Sequence, residues 1–204
     1  MANVSLLLWD IGGVLLSNGW DRAARAAAAE RFGLDLADLE RRHERVERDF
    51  ETGRMDWDAY LTVTVFHVER PFSKDSFREF MLSRSTGNAR ALAVARSLRE
   101  GGRYVMAALN NESRALNEYR VRTFDLDRIF HAFFSSCYTG FRKPEPDAYR
   151  YALTITQHTP AECLVLDDRP ENIEAAAGLG IGTVWVRDPA RIEEELAIAG
   201  VASG

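Results

Sequence analysis

Near its start the chain carries Val4-Ser5-Leu6-Leu7-Leu8-Trp9, an apolar run without the alternation expected of a strand with one wet face. Such a run reads as a strand buried on both sides, and strands of that kind belong to parallel sheets covered by helices. The run ends at Asp10 and passes directly into Ile11-Gly12-Gly13-Val14-Leu15. A carboxylate thus leaves the sheet into a glycine turn, at the carboxyl edge where ligands of open α/β sheets collect. Taken alone, an aspartate in a turn is more often a turn-former, so the weight falls on what the rest of the chain sets beside it.

After Leu16 the apolar period changes from strand to helix. An alanine-rich helix is expected from Asp21 to Phe32, stopped by Gly33. A second follows in which Leu39, His43, Val46 and Phe50 make one apolar face, closed by Thr52-Gly53. Asp56 and Ser73 can cap two more, carrying Trp57, Leu61, Val65 and Val68 in the first and Phe77, Phe80 and Met81 in the second. From Asn88 onward helix and strand take turns. A helix to Leu98 is stopped by Gly101-Gly102, and a strand Arg103 to Leu109 and a helix Ser113 to Arg122 follow. Next come a strand Ala132 to Ser136, a helix opened by Pro146, a strand Cys163 to Leu166, a helix Pro170 to Leu179, a strand Gly182 to Val186 and a last helix after Pro189. Alternation of this kind implies a three-layer α/β core around a parallel sheet. The first strand belongs to that core, so the expected organisation is a core of residues 1–16 and 87–204 with a helical-bundle cap, 17–86, inserted after strand one.

At 204 residues and 46% hydrophobic, the chain is large enough for such a core and a smaller second unit. Its net charge of −5, with acids and bases interleaved, offers no basic face for nucleic acid and no polybasic anchor for a membrane. No apolar run is long enough to span a bilayer and no charged leader precedes the first strand, so a cytoplasmic protein is expected. Cys137 and Cys163 fall in separate strand-like stretches without CxxC spacing and read as buried thiols. His43, His67, His131 and His158 show no ligand spacing and read as structural or surface groups. Lysine is scarce: apart from Lys74 and Lys143, every formally cationic side chain is arginine. An ammonium is a compact point charge able to neutralise a phosphate or carboxylate in a tight site, which singles out Lys143.

Four strand ends carry polar groups: Asp10, Asn110-Asn111, Arg142-Lys143-Pro144 and Asp167-Asp168. On a parallel sheet all would converge on one crevice. Asp167 and Asp168 emerge together from Leu164-Val165-Leu166 and repel each other and Asp10 unless a cation lies between them. An oxygen-only cluster without nearby His or Cys favours magnesium. The plainer account of Asp-Asp before Arg-Pro is a helix cap with one solvated acid.

These segments resemble the motifs of the haloacid dehalogenase superfamily. Trp9-Asp10-Ile11-Gly12-Gly13-Val14-Leu15 resembles the first, Arg142-Lys143-Pro144-Glu145-Pro146-Asp147-Ala148-Tyr149 the third, and Leu166-Asp167-Asp168-Arg169-Pro170-Glu171-Asn172-Ile173 the fourth. Ala175-Ala176-Ala177-Gly178-Leu179-Gly180 resembles the small-residue helix that follows it, so the likeness spans nearly the whole chain. It implies a Rossmann-like core with an inserted helical cap and a small phosphorylated molecule as substrate. Residue by residue it implies that Asp10 attacks phosphorus to form an aspartyl-phosphate. Mg²⁺ would be held by Asp10, the Gly12 carbonyl and Asp168, with Asp167 ordering its surroundings. Lys143 would neutralise the phosphoryl oxygens. Asn110, where the family has Ser or Thr, would donate its amide to a phosphoryl oxygen, and Asn111 its backbone N–H. Asn172 either hydrogen-bonds the acidic pair or solvates the start of its helix.

The chain departs from the pattern two residues after Asp10. Most phosphatases of this superfamily carry a second Asp there for proton transfer, and this chain has Gly12. General acid–base assistance is worth about 10²–10⁴-fold, so its loss must be met by another group, by water, or by a leaving group that needs little help. A sugar phosphate esterified at the anomeric carbon is such a substrate, and the resemblance leans toward sugar-1-phosphate phosphatases. One alternative is a metal-independent 2-haloacid dehalogenase, which shares the missing Asp but resembles a Ser/Asn-rich fourth motif rather than Asp167-Asp168. Another is a phosphate-ligand binder without turnover. A receiver domain is excluded by chain order, since its acidic pair follows the first strand. Trp20, Asp21 and Arg22 open the cap just past the first motif and could face the crevice, though they read more readily as a capped helix start beside a core tryptophan; Glu145 and Asp147 read as acids suited to a helix N-terminus.

Overall fold

The structure, a computed structural model, describes residues 4–201. Five strands, β1 (Leu6–Trp9), β2 (Val105–Ala108), β3 (Ala132–Phe133), β4 (Cys163–Asp167) and β5 (Gly182–Trp185), form one parallel sheet in the order β3-β2-β1-β4-β5. β1 lies at its centre, with Leu6 beside Val105 of β2 and Cys163 of β4. It is wholly buried, as its unbroken apolar run requires.

Side chains alternate between two core layers. Leu7 and Trp9 join Met106, Ala108 and Leu166 against α5 (Ala89–Gly101) and α10 (Ile192–Ile198). Leu6 and Leu8 point the other way, joining Ala107, Val165, Tyr149 and Ala176 under α8 (Pro146–Thr156) and α9 (Pro170–Gly178). The chain leaves β1 toward β2 and β3 and then returns past it to β4 and β5. The strand order therefore reverses between β1 and β4, and a crevice opens outside their carboxyl ends.

Between β1 and α5 stand α1 (Arg22–Phe32), α2 (Leu36–Glu51), α3 (Trp57–Thr64) and α4 (Lys74–Ser83). Asp21, Asp35, Asp56 and Ser73 cap them, each accepting a backbone N–H of the first turn. Trp20, Leu39, Phe50, Tyr60, Phe77 and Met81 form their shared core, with Leu116 reaching in from α6 (Arg114–Thr123). The two chain crossings that lead in and out of this layer lie side by side. Ser17 N donates to the Thr86 carbonyl at 2.8 Å and Asn88 N to the Leu15 carbonyl at 2.9 Å.

Three sequence expectations need correction. The strand expected over Ala132–Ser136 pairs only through Phe133, because Ser135 and Ser136 turn their hydroxyls to Asn110, Asn117 and the Glu112 backbone. Cys137 is accordingly not on a strand but in α7 (Ser136–Thr139); both cysteines are buried free thiols. Val68 does not join the apolar face of α3, which stops at Thr64, and it is exposed. A β-branched run, Thr62-Val63-Thr64-Val65, weakens that helix end, and the Thr64 hydroxyl bonds back to the Tyr60 carbonyl. Among the described residues no helix is long and apolar enough to cross a membrane.

Candidate active site

Asp10 is the first residue past β1. Its N–H bonds the Leu166 carbonyl at 2.8 Å, continuing the ladder, while its side chain turns out of the sheet to accept Ile11 N–H at 2.8 Å. Lys143 Nζ lies 3.1 Å from Asp10 Oδ1 and also donates to Asp167 Oδ2. All three are nearly or wholly out of solvent, with Asp10 9%, Lys143 3% and Asp167 0% exposed. An isolated charge could not be held there, so the ammonium and carboxylates are mutually required.

The remaining Asp167 oxygen accepts two donors at 2.9 Å, the Arg169 backbone N–H and the Asn172 amide. Asn172 is held in turn by Tyr149, whose hydroxyl donates to its carbonyl at 2.9 Å. Asp168 differs: its Oδ1 is buried without a hydrogen-bond partner among the described residues. Carboxylate oxygens of Asp10, Asp167 and Asp168 lie within 4.8 Å of one another. Burial pushes the Asp10 carboxyl up to about 7, a rise resisted by Lys143 and reinforced by the two neighbouring acids. Asp168 is raised by burial and by Asp167. Burial alone would lower Lys143, but Asp10 and Asp167 outweigh it and hold the ammonium above its ordinary value.

Asn111 anchors the lysine loop. Its amide donates to the Lys143 carbonyl at 2.8 Å and accepts Lys143 N–H at 2.9 Å, a role for its side chain that its position after β2 does not announce. Asn110 differs from the sequence expectation: its amide donates to Asn117 Oδ1 at 3.1 Å and its carbonyl oxygen accepts Ser135 Oγ at 2.8 Å. A buried amide must be paired, and these partners take it beneath the crevice instead of into it. Gly12, Asn111 and Asn172 line the crevice with Asp10 and Lys143.

Above these groups is a cavity of about 250 Å³ whose further walls come from α1 and α2 and the loop after α7. Trp20, Asp21, Arg22, Arg25, His43 and Glu47 face it from the helical layer, and Arg142 from the loop. Arg25 pairs with Glu40 at 2.6 Å and Arg142 with Glu51 at 3.1 Å, while His43 Nδ1 lies 2.9 Å from the Tyr60 hydroxyl. His43 and Glu51 thus belong to the cavity wall although their helical spacing marks only a packed face. Glu145, by contrast, pairs with Arg48 of α2.

Chemically, a buried carboxylate beside an ammonium at a sheet switch point can attack an electrophile whose negative charge the ammonium neutralises. A second carboxylate oxygen left without a donor is suited to a hard divalent cation.

Residues 4–180 match the haloacid dehalogenase-like hydrolase family. The chain is 26% identical over 177 residues to flavin mononucleotide hydrolase 1 of Arabidopsis thaliana, covering 83% of this chain and 69% of that protein. It is 31% identical over 123 residues to bifunctional epoxide hydrolase 2 of Rattus norvegicus, covering 59% of this chain and only 22% of the rat protein. Among solved structures, a HAD family enzyme from Bacteroides thetaiotaomicron in complex with magnesium and inorganic phosphate superposes with a TM-score of 0.74 at 20% identity, covering 90% of this chain and 94% of that one. An L-2-haloacid dehalogenase superposes at 0.65 with 18% identity, covering 90% and 84%. With the strand-end carboxylates, the lysine loop and the family match all lying on one continuous stretch, the chain belongs to the haloacid dehalogenase-like hydrolases.

Proposed function

We propose that this hydrolase is a magnesium-dependent phosphatase acting on a small, polar phosphorylated metabolite through an aspartyl-phosphate on Asp10. The observation that carries this reading is the buried Oδ1 of Asp168 beside Asp10, without a hydrogen-bond partner among the described residues. A buried carboxylate oxygen left without a donor is costly unless something absent from the protein itself meets it, and an oxygen-only donor set suits magnesium. Asp10, Asp168 and the Gly12 carbonyl would hold the ion, which when bound supplies positive charge to the phosphoryl oxygens. Asp167 has both oxygens engaged by Lys143, Arg169 and Asn172, and so acts as the post that fixes the lysine.

Asp10 forms the new bond to phosphorus as the ester bond breaks, and the leaving oxygen departs with the bonding pair. Lys143 lies against Asp10 and reduces the repulsion between two anions that must meet. Asn111 keeps the lysine loop in register. Water then hydrolyses the aspartyl-phosphate and restores Asp10. Residues 17–86 serve as a cap over a core of 1–16 and 87–204, excluding bulk water from the reaction. A small cavity rich in Arg, Glu and His, with Trp20 and Phe50 its aromatic members, fits a hydroxyl-bearing substrate such as a sugar 1-phosphate.

Two of the relatives' names support this reading, one being a flavin mononucleotide hydrolase and another named for pyrophosphate hydrolysis. A 2-haloacid would bring its own carboxylate against three already crowded ones.

The test is phosphate release from sugar phosphates, nucleotides and acyl phosphates, with Mg²⁺ or chelator, comparing the parent with a folded Asp10→Asn variant. Release that needs the metal and disappears in the variant is expected. Halide release from 2-haloacids without metal would instead make it a dehalogenase, and neither reaction would leave a phosphate-ligand binder.

A further inference from the structure

Gly12 poses a question that its surroundings answer. The backbone there is ordinary, and a Cβ built on it would point at Asn18 Oδ1, 3.2 Å away, and at Arg120 Nη1, 3.8 Å away. Arg120 comes from α6, is 2% exposed, and lines the same cavity as Asp10, Gly12 and Asn18. Its guanidinium is built in tightly. Nη1 lies 3.0 Å from Glu112 Oε2, Nε donates to Ser85 Oγ at 3.1 Å, and Nη2 to the Ser17 carbonyl at 3.2 Å. Gly19 admits no side chain beside it, since a Cβ there would lie 1.7 Å from Nη2. Gly19 thus makes room for this buried cation, while Gly12 leaves its nearest nitrogen within side-chain reach of position 12.

We propose that Arg120 is the group that meets the charge on the leaving oxygen where a side chain at position 12 is missing. The inference rests on the phosphatase reading. In an in-line displacement the leaving oxygen faces away from Asp10 into the remaining cavity, where Arg120 forms part of the wall. Three partners leave two of the five guanidinium N–H donors over. Arginine stays protonated and transfers no proton. As the Asp10 oxygen–phosphorus bond forms and the ester bond breaks, the leaving oxygen takes the electron pair, is stabilised by a guanidinium hydrogen bond, and draws its proton from water. Glu112 is the counter-charge that permits a cation at this depth. An aspartate at position 12 would pair with Arg120 instead of carrying a proton, so the two solutions exclude each other.

Arg120 also bonds both crossings into the helical layer, through Ser17 and Ser85, so the experiment must separate a clamp from a leaving-group contact. The readout is kcat/KM for a series of phosphate monoesters, from alkyl through phenyl to 4-nitrophenyl phosphate. The parent is compared with an Arg120→Met/Glu112→Gln double variant, which removes both charges together. The double variant is expected to lose about 10²-fold on alkyl phosphates, the size of one lost oxyanion donor. The loss should shrink steadily as the leaving group becomes more acidic, steepening the dependence on leaving-group pKa. Arg120→Lys keeps the Glu112 pair, and measures the same slope should the double variant fail to fold. An equal loss on every ester, or none, overturns the inference and leaves Arg120 a clamp. A parent that hydrolyses none of the esters overturns the phosphatase reading, and this inference with it.

Discussion

One backbone angle decides how closely Asp168 approaches the turn after β1. Gly13 has φ +74°, the left-handed region, and a Cβ there would lie 2.1 Å from Asp168 Oδ2. Glycine is required twice at this residue, by its conformation and by the carboxylate packed on it. Left-handed backbone costs a non-glycine residue roughly 1–2 kcal/mol, and the overlap must in addition displace Asp168. Gly13→Ala is therefore expected to lower thermal stability and to raise the Mg²⁺ concentration needed for half of the metal-induced rise in melting temperature. An increase of about 10–100-fold is the usual effect of disturbing the groups that position metal ligands. Titrating both proteins with Mg²⁺ alone, followed by calorimetry, decides it; equal midpoints would mean that Asp168 does not hold the ion.

At the scale of elements, legibility follows the kind of signal each segment carries. β1 and β4 could be read because strands buried on both faces are unbroken apolar runs, Asp10, Asp167 and Asp168 because they stand at or just past strand ends, and Lys143 because it is one of only two lysines. The helix starts at Asp21, Asp56, Ser73 and Asn88 were legible because capping is local chemistry. β3 is shorter than its sequence suggests because Ser135 and Ser136 are pulled away by tertiary partners, Asn110 and Glu112, that no local pattern announces. The same limit hid Arg120 and Glu51, which reach the cavity from helix faces whose spacing marks a buried side but not what it meets, and Glu112 in the loop before α6. The paired crossings show a device that only the fold reveals. The Ser17 hydroxyl donates to the Arg84 carbonyl at 2.7 Å and accepts Thr86 N–H at 2.9 Å, joining the way in to the way out. Ser17→Ala removes both bonds, and each is worth roughly 0.5–1.5 kcal/mol. Amide hydrogen exchange should then quicken at Thr86 and Asn88 while β1 and β4 keep their protection. Unchanged exchange at the crossings would show that the backbone bonds alone hold them.

For the whole molecule, the join between helical layer and sheet domain is electrostatic as well as packed, and its charge depends on pH. Glu51 ends α2 against the core, where its carbonyl accepts Ser136 Oγ at 2.7 Å and its carboxylate lies 3.1 Å from Arg142. Burial pushes its carboxyl from 4.5 up to about 7; Arg142 and Arg169 oppose the rise, and Glu47 and Glu112 add to it. The folded state thus holds this proton more tightly than the unfolded chain does. The stability contributed by the protonated group is fully present below pH 4.5, and declines as pH rises toward 7. Glu51→Gln stays neutral throughout and should escape that decline. Relative to the parent, its melting temperature should rise between pH 5 and 8, by about 2–4 °C for each kcal/mol recovered, and the gain should be on the order of 1–3 kcal/mol. Calorimetry of both proteins across that range measures the difference directly, so titrations shared by the two cancel. A constant offset would mean that Arg142 keeps Glu51 ionised at every pH, and that the join is a permanent ion pair instead of one that loosens with alkalinity.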